Sequence, residues 1–185
     1  LFFYRQHGKN LTSDASKILK TRASIIKDYT NNNNLSFVHN LCIIPIRSNN
    51  EGDDLSIEEF AGLTLIETII KQIQKSHNIT NIILTTNSDN VSNYVQSLKV
   101  KNLIVDLRPE ELTNLNVPID LTVSYLLDKY KSQLEKIDTI SIINYEYPMR
   151  DPKYIDTLID VLAVYDADSS KSVSEFPTRP VSISK

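Results

Sequence analysis

Residues 41–47 read LCIIPIR, an apolar run that ends in an arginine, and residues 48–54 continue as the polar loop SNNEGDD. A strand that is apolar on both faces is typical of a parallel sheet sandwiched between two layers of helices. The change at Arg47 therefore marks the carboxyl end of a buried strand. Backbone amides of a polar loop can cradle phosphates, but they can also merely turn the chain, and the loop residues leave both alternatives open.

The same alternation of apolar runs and helical patterns continues downstream of this strand. Further strands are predicted at 81–86, 102–107 and 138–144, with another beginning in 169–175. Helices with one apolar face are predicted at 63–77, 90–98, 118–134 and 152–166. Strands and helices that alternate with short joints imply right-handed crossovers and a mostly parallel sheet. The predicted fold is therefore α/β, three-layered and doubly wound.

The first 40 residues have a different pattern. Residues 13–29 fit an amphipathic helix capped by Ser13 or Asp14, and the run Asn31–Asn34 is expected to break it and form a linker. We therefore predict an N-terminal helical appendage at 1–40 and one α/β domain at 41–185. The chain finishes in FPTRPVSISK without a helix or strand pattern, which indicates a piece of a longer polypeptide.

Composition excludes several classes of function. The chain is 41% apolar and 23% charged, as ordinary globular proteins are, and its net charge of −3 argues against a nucleic-acid coat. It contains no apolar stretch near the ~18 residues of a membrane span and no signal peptide, so the expected setting is cytoplasmic. The single cysteine, Cys42, lies in the apolar run and is expected to be buried rather than nucleophilic. The three histidines are too scattered to predict a metal site.

The strand ends carry the best candidates for a site. Open parallel sheets bind ligands beyond the carboxyl ends of their strands, near the point where the strand order reverses. Three of the four predicted strand ends deliver an arginine, namely Arg47, Arg108 and Arg150. One such arginine is commonly solvated or paired with a carboxylate, whereas three at one edge favour a phosphate or carboxylate site. Neither the GxxxxGK[ST] nor the GxGxxG phosphate motif is present.

In order and spacing, residues 41–180 resemble the acylneuraminate cytidylyltransferases, which join CTP to sialic acids and related nonulosonic acids. The family loop IPARxGSKGxPxKN corresponds to IPIRSNNEGDDLSI (44–57), and the next family strand, VVVSTDD, corresponds to NIILTTNSD (81–89). The family motif RPxEL corresponds to RPEEL (108–112), LLQPTSPLR to IINYEYPMR (142–150), and ADSVVSV to ADSSKSVSE (167–175). The specific matches are IPxR, RPxEL and the PxR of the last strand end.

The resemblance implies a site for CTP and an acidic sugar. Arg47 would be the catalytic and phosphate-binding arginine. The nucleotide site would comprise Arg47, Ser48, Asn49, Asn50, Thr86, Asn87 and Arg108. Asn144 and Arg150 would contact the sugar. The implied reaction is attack of the anomeric hydroxyl on the α-phosphorus of CTP, with Mg²⁺ neutralising the departing pyrophosphate. The family's acidic metal ligands and its dimerisation insertion would follow Lys185, so no metal ligand is assigned, and a homodimer is an expected assembly.

The loop departs from the family pattern. The family lysine that stabilises the departing pyrophosphate has no counterpart, because residues 51–60 contain no base and include Glu51, Asp53 and Asp54. Two functions stay open: a divergent cytidylyltransferase for glycan synthesis, favoured by the arginines, and a non-catalytic binding or scaffolding module of a longer protein, favoured by the missing lysine. A sugar-nucleotide enzyme that uses another base is a third alternative. Tyr145 and Tyr147 either stack on the ligand or close the pocket.

Overall fold

The computed structural model describes residues 15–34, 39–48, 54–114, 116–134, 137–148 and 150–172. The helices are α1 (Ala15–Asn32), α2 (Leu65–Ile73), α3 (Asp89–Ser97), α4 (Ile119–Tyr130) and α5 (Pro152–Tyr165). The strands are β1 (Asn40–Ile46), β2 (Glu59–Phe60), β3 (Leu63–Thr64), β4 (Asn81–Thr86), β5 (Leu103–Leu107) and β6 (Thr139–Ile142). The predicted alternation of strands and helices is confirmed. Of the described helices, none is long and apolar enough to cross a membrane.

Four strands form one parallel sheet in the order β5-β4-β1-β6. In β1, Ile43 stands opposite Ile83 of β4 on one side and Ile142 of β6 on the other. The chain moves outward from β1 to β4 and β5, and then crosses back to place β6 on the other side of β1. The strand order therefore reverses between β1 and β6, and ligands of such sheets bind outside the carboxyl ends of the strands near this switch point.

Side chains of β1 alternate between two apolar clusters. Cys42, Ile44 and Ile46 belong to the cluster formed with α2, α3 and α5, whereas Leu41 and Ile43 belong to the cluster formed with α4. All five are at most 1% exposed. Burial on both faces explains why this strand reads as a continuous apolar run. The three-layered, doubly wound α/β fold predicted from the sequence is confirmed.

The helix predicted at 63–77 is shorter than expected. It begins at Leu65 because Thr64 and Glu67 form a capping box, in which each side chain accepts a hydrogen bond from the backbone of the other residue. Leu63 and Thr64 pair instead with β2 in a two-residue hairpin, where Ala61 and Gly62 have φ of 55° and 84°. Such turns favour Asn-Gly, and alanine gave no signal of a hairpin. The helix ends at Ile73.

Two other predictions need correction. Helix α1 continues through Asn31 and Asn32, so these residues are not a linker, and the chain leaves the helix near Asn34, which has φ of 54°. Residues 169–172 form no strand, and the rest of the strand predicted there, like the caps Ser13 and Asp14, lies outside the described residues. Helix α1 packs on α5. The boundary between an appendage and a domain at residue 40 stays a prediction.

Candidate anion site at the carboxyl edge of the sheet

Hydrogen bonds tie the loops after β1, β4 and β5 together. The backbone N–H of Ser48 donates to Asn87 Oδ1 at 2.9 Å, and Asn87 Nδ2 donates back to the Ser48 carbonyl at 3.3 Å. The backbone N–H of Arg108 donates to the Thr86 carbonyl at 2.7 Å. The Thr86 hydroxyl accepts from the backbone N–H of Ser88 at 3.2 Å. Thr86 and Asn87 thus connect the segments that follow β1, β4 and β5. Their direct contact with a nucleotide stays a prediction.

Arg108 is the most buried of the predicted site arginines, at 5% exposure. Its Nε donates to Thr85 Oγ1 at 3.4 Å, and its Nη2 donates to the Thr85 carbonyl at 3.1 Å. A guanidinium has five N–H donors, so three of them have no hydrogen-bond partner among the described residues. Burial lowers the pKa of Arg108, the positive charge of Arg47 lowers it further, and Asp106 opposes both effects. Arg47 and Arg108 therefore lie close enough for their charges to interact.

The carboxylate that supports Arg108 was not among the predicted site residues. Asp106 is 1% exposed and stands opposite Thr85 in the register of β4 and β5. Its Oδ2 accepts from Thr85 Oγ1 at 3.0 Å, and its Oδ1 accepts from Lys129 Nζ at 2.7 Å and Tyr130 OH at 2.9 Å. The sequence signal was a single acid inside the apolar strand LIVDL. A carboxylate in such a place needs partners, and here it has three.

These contacts also perturb the two partners on α4. The hydrogen bond to Asp106 and a second one to Tyr125 raise the pKa of Lys129. Burial, together with the hydrogen bond to Asp106, raises the pKa of Tyr130 to about 12. Both groups are therefore protonated at neutral pH and donate to the carboxylate.

Asp54 resumes the described chain after the loop of residues 49–53 and is 8% exposed. Its Oδ2 accepts from Ser88 Oγ at 2.7 Å, and Ser88 also caps α3. Its Oδ1 is buried and has no hydrogen-bond partner among the described residues, and the same holds for Ser56 Oγ. Burial raises the pKa of Tyr145, and the negative charges of Glu146 and Asp54 raise it further. Asp54 therefore lies near the segment that follows β6, beside the switch point.

Asn144 and Arg150 lie together at the end of β6. Asn144 is exposed and closes a turn, in which its Oδ1 accepts from the backbone N–H of Glu146 and its Nδ2 donates to Glu146 Oε2, both at 3.1 Å. Arg150 Nη2 donates to the Asn144 carbonyl at 3.4 Å. Arg150 lines a groove of about 660 Å³ that runs along β6 and α5. It is not among the charges that perturb Arg108. The structure thus shows interactions within an Arg47–Arg108 pair and within an Asn144–Arg150 pair, and one shared cleft for all four residues stays a prediction.

Some of the remaining predicted residues are described by the structure and others are not. Asn49 and Asn50 lie outside the described residues, as do Glu51 and Asp53, and their roles stay predictions. Tyr145 packs on the core cluster, which favours the alternative that it closes the pocket, whereas the side chain of Tyr147 is exposed. Within the part of the chain that the structure describes, no three His, Cys, Asp or Glu residues are placed to hold a metal.

Comparison with known proteins shows that solved structures share this fold. No protein-family model and no curated protein sequence matches the chain. Among solved structures it is similar to CMP:2-keto-3-deoxy-manno-octonic acid synthetase complexed with CTP, with a TM-score of 0.54 and 15% identity over 70% of this chain and 49% of that one. It is also similar to 4-diphosphocytidyl-2C-methyl-D-erythritol synthase, with a TM-score of 0.53 and 14% identity over 67% of this chain and 54% of that one.

A third similar structure is a cytidylyltransferase from Leptospira borgpetersenii serovar Hardjo-bovis, with a TM-score of 0.51 and 19% identity over 71% of this chain and 51% of that one. The chain spans about half the length of each of these proteins. At identities this low the similarity shows a common fold alone, which agrees with the predicted doubly wound α/β architecture. The finer resemblance to the acylneuraminate enzymes rests on the sequence motifs alone.

Proposed function

We propose that this chain forms the nucleotide-binding part of a cytidylyltransferase that transfers CMP from CTP to an acidic, nonulosonic sugar. The observation that carries the proposal is the Arg47–Arg108 pair at the carboxyl edge of the sheet. Neither arginine forms a salt bridge with a carboxylate among the described residues, although the two positive charges repel each other. A polyanion bound between them removes this repulsion and accepts charge-assisted hydrogen bonds.

The two arginines would have different roles. Arg47 directly follows β1, next to the switch point, and would stabilise the charge that develops on the departing pyrophosphate. Arg108 is almost fully buried and keeps three N–H groups beyond those bound to Thr85. Because water screens a buried charge weakly, its contribution to triphosphate binding should be large. The Ser48 backbone N–H already donates to Asn87, so Ser48 would anchor the start of the loop in which Asn49 and Asn50 would bind the phosphates.

The acceptor sugar would occupy the side of β6. Arg150 and Asn144 lie there next to the switch point, and a guanidinium suits the carboxylate of an acidic sugar. Arg150 already contacts the Asn144 carbonyl, so the pair would act as one binding element. With the acceptor at β6 and the triphosphate at Arg47 and Arg108, the α-phosphorus would face the acceptor, as the transfer requires.

A magnesium ion fits the residues present. Mg²⁺ usually binds one or two carboxylates together with substrate phosphates and keeps several waters. Asp54 offers a buried carboxylate oxygen that has no hydrogen-bond partner among the described residues. Asp54 would therefore hold the ion from the protein side, and the ion would neutralise charge on the triphosphate.

One observation favours binding without transfer. Residues 48–60 contain no lysine or arginine, so the chain lacks the loop lysine of the family that it resembles. Removing one stabiliser of transition-state charge typically costs about 2.7–4 kcal/mol, or a factor of about 10²–10³ in rate. The second candidate function is therefore a CTP-binding module that no longer catalyses, within a longer protein.

Calorimetry with CTP and Mg²⁺ tests the site. Arg47→Ala and Arg108→Ala should each weaken binding by about 1.5–3 kcal/mol, which is typical of hydrogen bonds to charged groups. Arg22→Ala is the matched control, because Arg22 is an exposed arginine on α1. Release of pyrophosphate on addition of nonulosonic acids separates the two candidate functions. Binding without release supports the module, and no binding at millimolar CTP with Mg²⁺ rejects both.

A further inference from the structure

A continuous chain of hydrogen bonds runs from Arg108 to the surface of α4. Arg108 Nε donates to Thr85 Oγ1 at 3.4 Å, and Thr85 Oγ1 donates to Asp106 Oδ2 at 3.0 Å. The other carboxylate oxygen, Oδ1, accepts from Lys129 Nζ at 2.7 Å and from Tyr130 OH at 2.9 Å. This series of hydrogen bonds begins in the candidate site and ends at α4, in one of the two helix layers that cover the sheet.

The Asp106 carboxylate determines the direction in which these hydrogen bonds are donated. An ionised carboxylate only accepts hydrogen bonds, and a threonine hydroxyl has a single hydrogen. The hydrogen of Thr85 therefore points to Asp106, and its lone pairs face Arg108 Nε–H. A group that donates at position 106 would occupy the lone pairs of the hydroxyl and turn its hydrogen towards Arg108, which cannot accept it. An acceptor at position 106 thus decides whether the Thr85 hydroxyl can accept from Arg108 Nε, whereas the Thr85 carbonyl accepts from Arg108 Nη2 in either case.

Two features compensate for the burial of the Asp106 carboxylate. Lys129 supplies a positive charge in direct contact, and its side chain is 41% exposed, so the ammonium keeps part of its hydration. Tyr130 and Thr85 supply two more donors. Buried charges persist in proteins when they are paired and hydrogen-bonded in this way.

We propose that Asp106 is a positioning residue of the anion site. Through Thr85 it fixes the orientation of the Arg108 guanidinium, and so directs the three remaining N–H groups at the ligand without touching the ligand itself. The inference rests on the proposed function of the Arg47–Arg108 pair as a triphosphate site. It adds a residue that neither the strand-end pattern nor the family motifs indicate.

A purely structural role for Asp106 makes a different prediction. If Asp106 served only to fasten α4 to β5, then losing its bond to Tyr130 would have the same kind of effect as losing its bond to Thr85. Tyr130→Phe removes one donor to Asp106 and leaves the bond between Thr85 and Arg108 in place. It is the matched control for Asp106→Asn and Thr85→Val, which remove or reverse that bond. Thr85→Ser retains the hydroxyl and serves as the conservative rescue.

The first measurement is the affinity for CTP with Mg²⁺. Asp106→Asn and Thr85→Val should weaken binding roughly 5- to 30-fold, whereas Tyr130→Phe and Thr85→Ser should stay within about twofold. In the Arg108→Ala background, Asp106→Asn should add less than about twofold, because residues that act through one group are not additive. Equal losses of CTP affinity in Tyr130→Phe and Asp106→Asn would overturn the inference. So would an undiminished effect of Asp106→Asn in the Arg108→Ala background.

The second measurement needs no nucleotide. Hydrogen exchange at Arg108 Nε–H, followed by ¹⁵N NMR in the ligand-free protein, should accelerate about tenfold or more in Asp106→Asn and Thr85→Val, because the bond to Thr85 is lost. Tyr130→Phe should leave this rate unchanged. Faster exchange in a protein that binds no CTP would support the positioning role and reject the proposed function. Unchanged exchange in both variants overturns the positioning role whatever the affinity for CTP. If Asp106→Asn does not fold, Thr85→Val with its serine rescue carries the test.

Discussion

Removing the counter-ion of Asp106 should destabilise the fold measurably. The carboxylate is 1% exposed, and Lys129 Nζ lies 2.7 Å from its Oδ1. Lys129→Met keeps most of the aliphatic stem of the side chain and deletes the ammonium, so the variant removes the charge with little loss of packing. The buried carboxylate is then left with hydrogen bonds from Tyr130 and Thr85 alone.

The size of the effect follows from the burial of the two partners. Removing one member of a buried ion pair typically costs about 3–5 kcal/mol, because the other charge stays buried without compensation. The Lys129 side chain is 41% exposed, so water can enter the vacated position, and two neutral donors remain. We therefore expect a loss of about 2 kcal/mol in the free energy of unfolding, within the range for one hydrogen bond to a charged group. For a chain of this size, that corresponds to roughly 4–8 °C in Tm.

Urea unfolding followed by circular dichroism measures this loss, with Lys101→Met as the control at an exposed lysine in the turn before β5. The pair raises the pKa of Lys129, so its contribution is complete below the unfolded value and fades as pH rises through the folded value. The difference between the two proteins should therefore be constant from about pH 6 to 9, well below the ordinary lysine pKa of about 10.4. A loss no larger than that of Lys101→Met would refute the charged, paired state of Asp106.

Three further predictions concern the rest of the fold. Burial raises the pKa of Cys42 to about 12, so iodoacetamide should label it only when urea unfolds the protein, and rapid labelling in buffer would contradict its burial. Thr64→Ala should cost about 1 kcal/mol in urea titrations at neutral pH, because it removes the cap of α2. The hydrogen bond from the backbone N–H of Thr64 holds the pKa of Glu67 below its usual value. The stability from this bond is therefore present above pH ~4.3, the unfolded pKa, and is lost as pH falls through the pKa of the folded state. An ordinary pKa for Glu67 in an acid titration would contradict this prediction. Deleting residues 1–34 should leave cooperative unfolding, because the parallel sheet and helices α2 to α5 are all formed by residues after 39, and a non-cooperative transition would reject the boundary at residue 40.

Burial on two faces made the strands predictable. The runs 41–44 in β1 and 82–84 in β4 are apolar because their side chains alternate between the cluster formed with α4 and the cluster formed with the opposite helix layer. The observed strand ends lie within two residues of the predicted ones. The errors in the predicted element boundaries were caused by local backbone geometry. The capping box at Thr64 sets where α2 begins, and the Ala61–Gly62 turn creates a hairpin without an Asn-Gly signal.

The site was predictable only as far as the strand ends reach. Parallel strands with a known order place Arg47 and Arg108 at one edge, and the structure brings their charges together. Arg150 follows β6 by eight residues, and that length leaves the direction of its side chain undetermined by sequence. Asp106 was visible as an acid within an apolar strand, but its partner Lys129 comes from a helix on the far side of the sheet. The rotation of that helix relative to the sheet cannot be inferred from the spacing of residues.

The proposed function needs an account of how a loop without a lysine would serve a triphosphate. A lysine would contribute one positive charge, and Asp54 with one Mg²⁺ would contribute the same net charge of about +1. This balance predicts opposite effects of Asp54→Asn in two conditions. The asparagine amide oxygen can still accept from Ser88 Oγ, as Asp54 Oδ2 does at 2.7 Å, so residue 54 should keep its position.

With EDTA present, Asp54→Asn should bind CTP more tightly than the unchanged protein, because it removes a negative charge that repels the triphosphate. With millimolar Mg²⁺, the order should reverse, because the variant lacks the carboxylate that is proposed to hold the ion. Calorimetry in the two buffers measures both affinities, and Asp89→Asn, at an exposed aspartate in the first turn of α3, is the matched control. Shifts of the same sign in both buffers would show that Asp54 acts on the nucleotide by charge alone and does not hold the metal.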